Sequence, residues 1–96
     1  MEREKESEKN SSTKPWFVYL VECKDGSFYC GVTNNLEKRM KAHKTGKGAK
    51  YVKNKGFGKL LHFKECENRS DAQKCECQIK TLYKWDKITW FCKNKN

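Results

Sequence analysis

The sequence predicts one small α+β domain, and three observations carry that expectation. Its 96 residues leave room for a single core. An aromatic and β-branched run meets a second such run through Asp25-Gly26, a hairpin signature. Two later segments place apolar residues at helical spacing behind Asn- or Ser-led starts. Apolar residues make up 35% of the chain and charged residues another 35%, so the core must be thin and the surface ionic.

The elements follow in order. Residues 1–14 alternate charges and hold no apolar side chain after Met1, which predicts a disordered charged tail ahead of a domain over 15–92. Trp16-Phe17-Val18-Tyr19-Leu20-Val21 reads as a strand. Lys24-Asp25-Gly26-Ser27 turns the chain into a partner strand over Phe28 to Val32. Asn34 with Glu37 three residues on predicts a capping box and a helix to about Lys44, stopped at Gly46. In that helix Leu36 and Met40 would face the core, while Arg39 and His43, also four apart, share an adjoining face. Gly46 to Gly58 should hold a short helix between glycine turns. Leu60-Leu61-His62-Phe63 predicts a third strand, with Leu61 and Phe63 on one face and Leu60 and His62 on the other. Ser70-Asp71-Ala72-Gln73 reads as a second capping box, followed by a core-facing stripe of Ala72, Cys75, Ile79 and Leu82. A last short helix is expected around Trp85 to Trp90.

Charge narrows the partners. Lys and Arg number 22 against 12 Asp and Glu, a formal net charge of +10. The first fourteen residues balance, so the whole excess lies from Pro15 onward. Such density suits a phosphate-binding surface, because each neutralised phosphate releases counterions and adds affinity; a solvated lysine-rich surface is the plainer reading. No run approaches the ~18 apolar residues of a membrane span, and no apolar stretch resembles a signal peptide. The expectation is a cytoplasmic protein with no membrane role. Its six cysteines are then reduced, chiefly as small buried thiols. Cys75-x-Cys77 has the wrong gap for a zinc pair.

Glu76 sits beside the stripe residue Cys75 and one turn before Lys80. It can be an i,i+4 partner of Lys80 or a ligand for a divalent metal, since Mg²⁺ takes one or two carboxylates and fills its other positions with water and phosphate oxygens. Tyr19 and Tyr29 lie on the two hairpin strands, where tyrosine is favoured for packing alone. If both hydroxyls met a cleft holding Arg39, His43 and Glu76, the set would contain a metal site, a cation for developing charge and a proton acceptor. Those are the parts a phosphodiesterase needs.

Phe17-Val18-Tyr19, Tyr29-Cys30-Gly31, Arg39, His43 and Glu76, in this order and spacing, resemble the GIY-YIG nuclease superfamily. Thr33-Asn34-Asn35-Leu36-Glu37-Lys38-Arg39 and Gly46-Lys47-Gly48-Ala49-Lys50-Tyr51 resemble its small stand-alone bacterial members in particular. The resemblance spans Trp16 to about Lys87 and implies a three-stranded antiparallel sheet flanked by helices. It implies a single Mg²⁺ or Mn²⁺ held by Glu76, with Arg39 on the phosphate. Tyr29 or Tyr19, assisted by His43, would position and deprotonate the attacking water. An ordinary tyrosine titrates near ~10, so a nearby cation would have to lower that value. Three departures stand out. Phe-Val-Tyr replaces Gly-Ile-Tyr, Cys30 replaces an isoleucine, and the asparagine that many larger members carry after the glutamate helix has no clear equivalent around Ile88, Thr89 and Trp90.

The lysines Lys47, Lys50, Lys53 and Lys55 would clamp a nucleic-acid backbone without reading bases, or form a solvated basic loop. Tyr51 and Phe57 would stack on bases or fill the core, and His62 is structural. The function expected is a metal-dependent endonuclease acting on DNA with low sequence specificity, structure-selective or single-strand, leaving a 5′-phosphate and a 3′-hydroxyl. The alternative is a basic nucleic-acid-binding module on the same fold with little catalysis, acting in DNA repair or with a partner. A third reading is a protein adaptor using Trp85 and Trp90. RNA as a substrate, a protein partner and a homodimer all stay open at this stage.

Overall fold

The apolar run at Trp16 becomes the central strand of a three-stranded antiparallel sheet. The computed structural model describes residues 15–94; the expected tail, residues 1–14, lies outside them. In chain order the elements are β1 (Trp16–Cys23), β2 (Phe28–Thr33), α1 (Leu36–Lys44), α2 (Lys50–Lys55), β3 (Phe57–Cys66), α3 (Arg69–Lys80) and α4 (Lys84–Lys93). The strand order is β2-β1-β3. Val18, Tyr19, Leu20 and Val21 of β1 are each no more than 2% exposed. A strand covered on both faces cannot alternate, which is why this segment reads as an unbroken apolar run. Full burial of a Val or Leu side chain is worth about 1.5–3 kcal/mol.

One face of the sheet carries Val18, Leu20 and Cys30 against Ala72, Ile79 and Phe91 of α3 and α4. The other carries Tyr19, Val21 and Cys23 against Val52, with Leu36 and Met40 packed alongside. The β1–β2 turn forms where expected. Gly26 adopts φ 87°, and Asp25 Oδ1 accepts hydrogen bonds from the Ser27 amide at 3.0 Å and the Ser27 hydroxyl at 2.6 Å. Those bonds to Ser27, with Lys55 beside them, pull the Asp25 carboxyl down to about 2. No helix among the described residues is long and apolar enough to cross a membrane.

Several local expectations are corrected. The N-cap of α1 is Asn35, whose side chain accepts from the Lys38 amide at 3.0 Å, so Asn34 and Glu37 form no capping box. The N-cap of α3 is Asn68, accepting from the Asp71 amide at 2.8 Å, two residues before Ser70. Asp71 reaches back to the Glu67 amide at 3.2 Å. The stripe of α3 ends at Ile79, and Leu82 lies in the connection to α4. Strand β3 is ten residues long rather than four. It opens at Phe57 because Gly58, where a Cβ would meet the Glu22 carbonyl at 2.5 Å, lets the backbone bulge against β1. A second irregularity near Leu61 breaks the expected alternation. Leu61 packs with α3 and α4, where His62 also stacks on Phe91 at 5.7 Å, while Leu60 and Phe63 take the opposite side. Cys23, Cys30 and Cys66 are buried thiols, but Cys77 and Cys92 are exposed; all six are free.

Candidate active site

The site is built from β1 outward. Tyr19 points to the α1 side, and its hydroxyl meets His43 Nε2 at 2.9 Å in a fully buried hydrogen bond. Each of the two residues is 2% exposed. Two glycines make the room. A Cβ on Gly31 would lie 2.5 Å from the Tyr19 hydroxyl, and one on Gly48 would lie 2.3 Å from His43 Nδ1. Phe57 closes the far side of the imidazole by stacking on it at 6.1 Å and 4°. His43 Nδ1 has no hydrogen-bond partner.

Tyr29 lies on β2 against both residues, 6.4 Å from the Tyr19 ring and 5.9 Å from the His43 ring. Unlike Tyr19 it is only half-buried. Tyr51 of α2 stacks on it at 5.8 Å and 26°, and the Lys80 ammonium stands 5.9 Å from its ring centre. Lys80 Nζ also pairs with Glu76 Oε2 at 3.3 Å. The ion pair expected for Glu76 is therefore present, and it joins α3 to Tyr29 around the β2 edge. Arg39, one turn before His43 on α1, borders a groove of about 310 Å³ with Thr33, Asn34, Asn35, Lys38 and Ala42.

The electrostatics divide the roles. Burial, then the Tyr29 hydroxyl, push the Tyr19 phenol above its ordinary value; Arg39 opposes this and Glu76 adds to it. Tyr19 therefore stays protonated at neutral pH. Burial, then Arg39, lower the His43 pKa, so its imidazole is neutral there too. Burial, followed by the nearby Glu76 charge, raises the Cys30 thiol to about 12. Burial acts to lower the Lys80 pKa, but the Glu76 carboxylate that pairs with it, aided by Tyr29 and Cys30, leaves it above that of an ordinary lysine.

No group of three or more His, Cys, Asp or Glu side chains converges among the described residues. Glu76, with 21% of its side chain exposed, is a single hard oxygen donor beside the tyrosine cluster. That fits an ion of the Mg²⁺ type, which keeps most of its waters and binds through one or two carboxylates plus phosphate oxygens.

The family model described as the GIY-YIG catalytic domain matches residues 15–88. The chain belongs to the GIY-YIG family. GIY-YIG is a nuclease superfamily, and the function is nuclease-type at that level. A UPF0213 protein of Clostridium perfringens is 50% identical over 72 residues, covering 75% of this chain and 77% of the relative. One from Xanthomonas axonopodis is 39% identical over 77 residues, 80% of this chain and 76% of its own. The solution NMR structure of a UPF0213 protein from Bacillus halodurans is similar with a TM-score of 0.50 and 35% identity, covering 81% of this chain and 83% of that one. In this GIY-YIG chain the last glycine of the second motif, Gly31, has a direct steric cause in the Tyr19 hydroxyl packed against it.

Of the residues singled out in the sequence, Tyr19, Tyr29 and His43 touch one another, and the charges of Arg39 and Glu76 both act on the Tyr19 hydroxyl. Lys47, Lys50 and Lys53 are exposed around α2. Lys55 is held by Asp25 at 3.2 Å and lies over the Tyr51 ring at 5.5 Å. Phe57 belongs to the core, whereas Tyr51, 40% exposed, borders the site. Sequence reasoning missed the parts played by Gly48 and by Lys80 at the Tyr29 ring. The only signal for Gly48 was its place in a Gly-Lys-Gly run.

Proposed function

We propose that the protein is a divalent-metal-dependent endonuclease that hydrolyses phosphodiester bonds in DNA with low sequence specificity. Its substrates are single-stranded or branched DNA, and its products end in 5′-phosphate and 3′-hydroxyl. The observation that supports this most strongly is the buried 2.9 Å bond between Tyr19 and His43, with Tyr29 against both rings. Any buried tyrosine hydroxyl needs a partner; what supports the reading is that this bonded pair packs directly on the half-buried Tyr29 ring at the cleft.

The residues divide the work as follows. Tyr19 is enclosed and protonated, so it touches no water at the phosphate; with His43 it fixes the ring of Tyr29. Tyr29, half-buried at the cleft, orients the attacking water and, when it reacts as the phenolate, takes the water's proton and becomes the neutral phenol. The Lys80 ammonium puts positive charge beside that ring. Arg39 holds the phosphate and offsets the charge that builds on its oxygens, a contribution of the kind worth about 10²- to 10³-fold in rate. Glu76 holds Mg²⁺ or Mn²⁺, which when bound supplies Lewis acidity at the phosphate. Lys47, Lys50 and Lys53 contact the backbone of the bound strand and set no sequence preference.

The test is cleavage of labelled single-stranded, duplex and branched DNA with Mg²⁺ or Mn²⁺, beside an EDTA control. Metal-dependent cutting that is greatest on unpaired or branched DNA is expected. Tight binding of every substrate without any cutting would instead make the protein a binding module on a nuclease fold.

A further inference from the structure

A cluster of aromatic side chains stands open beyond the cleft, at the junction of α3 and α4. Tyr83 is 86% exposed and Trp85 66% exposed. Trp90, read with Trp85 as one surface in the sequence, is different: it packs against the core and donates its indole N–H to Gln78 at 3.3 Å. The Phe28 ring meets Trp85 edge-on at 5.6 Å and 89°. The Lys84 ammonium lies between them, 4.8 Å from the Phe28 ring centre and 4.9 Å from that of Trp85. Two large aromatic side chains left open add little burial to the fold, and adjoining exposed apolar surface of this kind marks an interaction site.

Two features define what covers them. The first is proximity to the cleft. Phe28 and Tyr29 point to opposite faces of the edge strand β2, but Lys80 at the end of α3, with Tyr83 and Trp85 just beyond it, pairs with Glu76 and reaches past that edge to the Tyr29 ring. The second is charge. Lys84 sits within the cluster, Lys80 leads to it, and the chain from Pro15 onward carries all of the net +10. Open rings interleaved with lysines match unpaired nucleobases on a polyanionic backbone, since every base offers a π-face and the phosphates answer the ammonium groups.

We infer that Tyr83 and Trp85 form a stacking platform for unpaired bases of the DNA strand bound at the Tyr29 cleft. This deepens the nuclease reading and rests on it. The substrate class it selects is DNA with an unpaired segment, whether a single strand or a duplex with a single-stranded extension. The strand runs from the cleft past Lys80 onto the rings, and a blunt duplex has no free bases to place there. Phe28, already paired edge-on with Trp85, sets the angle of the indole rather than taking a base itself.

The test compares a duplex bearing an oligothymidine tail with the blunt duplex of the same sequence. Affinity is measured without metal by fluorescence anisotropy and cleavage is measured with Mg²⁺, for the parent, for Tyr83→Ala/Trp85→Ala and for Trp85→Phe. Both side chains are largely exposed, so the double variant should keep the parent's melting temperature. The parent should bind the tailed DNA more tightly. The double variant should lose about ten-fold or more on tailed DNA and little on blunt DNA, and Trp85→Phe should recover most of the loss. Tail binding should also quench tryptophan fluorescence in the parent and not in the double variant. Equal affinities of parent and double variant for tailed DNA would overturn the platform and leave the surface to a protein partner, whether or not the parent cuts. Selective loss on tailed DNA in a protein that cuts nothing would uphold the platform and refute the nuclease reading.

Discussion

His43 is held neutral inside the fold by burial and by the Arg39 guanidinium, while in the unfolded chain the same ring takes up a proton near its ordinary value of about 6.5. Its contribution to stability is therefore complete above about pH 6.5 and declines as the pH falls below it, because the unfolded state then binds the extra proton. Urea denaturation across pH 5 to 8 should show that decline in the parent and a weaker one in His43→Gln. Gly31 carries a steric prediction. A methyl group there meets the Tyr19 hydroxyl at 2.5 Å and must displace the ring, so Gly31→Ala should cost about 1–3 kcal/mol and lower any cleavage rate by disturbing Tyr29 as well. Local spacing placed Tyr19, Tyr29 and Arg39 on a hairpin and one helix, and the family resemblance, not that spacing, singled them out as site residues. The contacts of Gly48 and Tyr51 were not legible. Their roles come from long-range contacts with His43 and Tyr29, which no local pattern encodes.

Helix starts and strand ends show where local reading succeeds and fails. Every element expected in the described chain is present, yet both capping residues were misplaced, at Asn34 and Ser70 instead of Asn35 and Asn68. Each region offers two side chains able to cap, and the choice falls to the one whose backbone is extended where the preceding strand releases the chain. Asn68→Ala should therefore destabilise the protein by about 1 kcal/mol in thermal or urea melts, and Ser70→Ala should leave it nearly unchanged. Strand β3 was under-read for a related reason: Gly56 and Gly58 look like turn residues. Here Gly58 serves a bulge pressed onto Glu22, which depends on β1 being there. The same reliance on a partner explains α3, whose Ala72 and Ile79 are fully buried on the sheet. Ile79→Ala should cost about 2–5 kcal/mol and loosen the helix that carries Glu76.

Across the whole molecule, the sheet separates two helical layers, and the candidate site spans both. Tyr19, Tyr29 and His43 lie with α1 and α2, while Glu76 comes from α3 on the other layer and reaches them past the β2 edge through Lys80. The exposed lysines around α2 add to the charge that Lys38, Arg39, Lys41 and Lys44 of α1 give the first layer. Replacing Lys47, Lys50 and Lys53 together by alanine should flatten the salt dependence of DNA binding by roughly two in the slope of log K against log salt. Lys55→Ala should change it less, because Asp25 already holds that ammonium. The joining of the two layers into one hydrolytic centre is tested most directly by Glu76→Gln, which keeps the size of the side chain and removes its charge. Single-turnover cleavage of tailed DNA in Mg²⁺ should fall by at least about 10²-fold in this variant, with DNA affinity and melting temperature within a small margin of the parent's. A variant that folds, binds and cuts at the parent's rate would show that Glu76 is only the ion-pair partner of Lys80 and that the centre does not extend across the sheet.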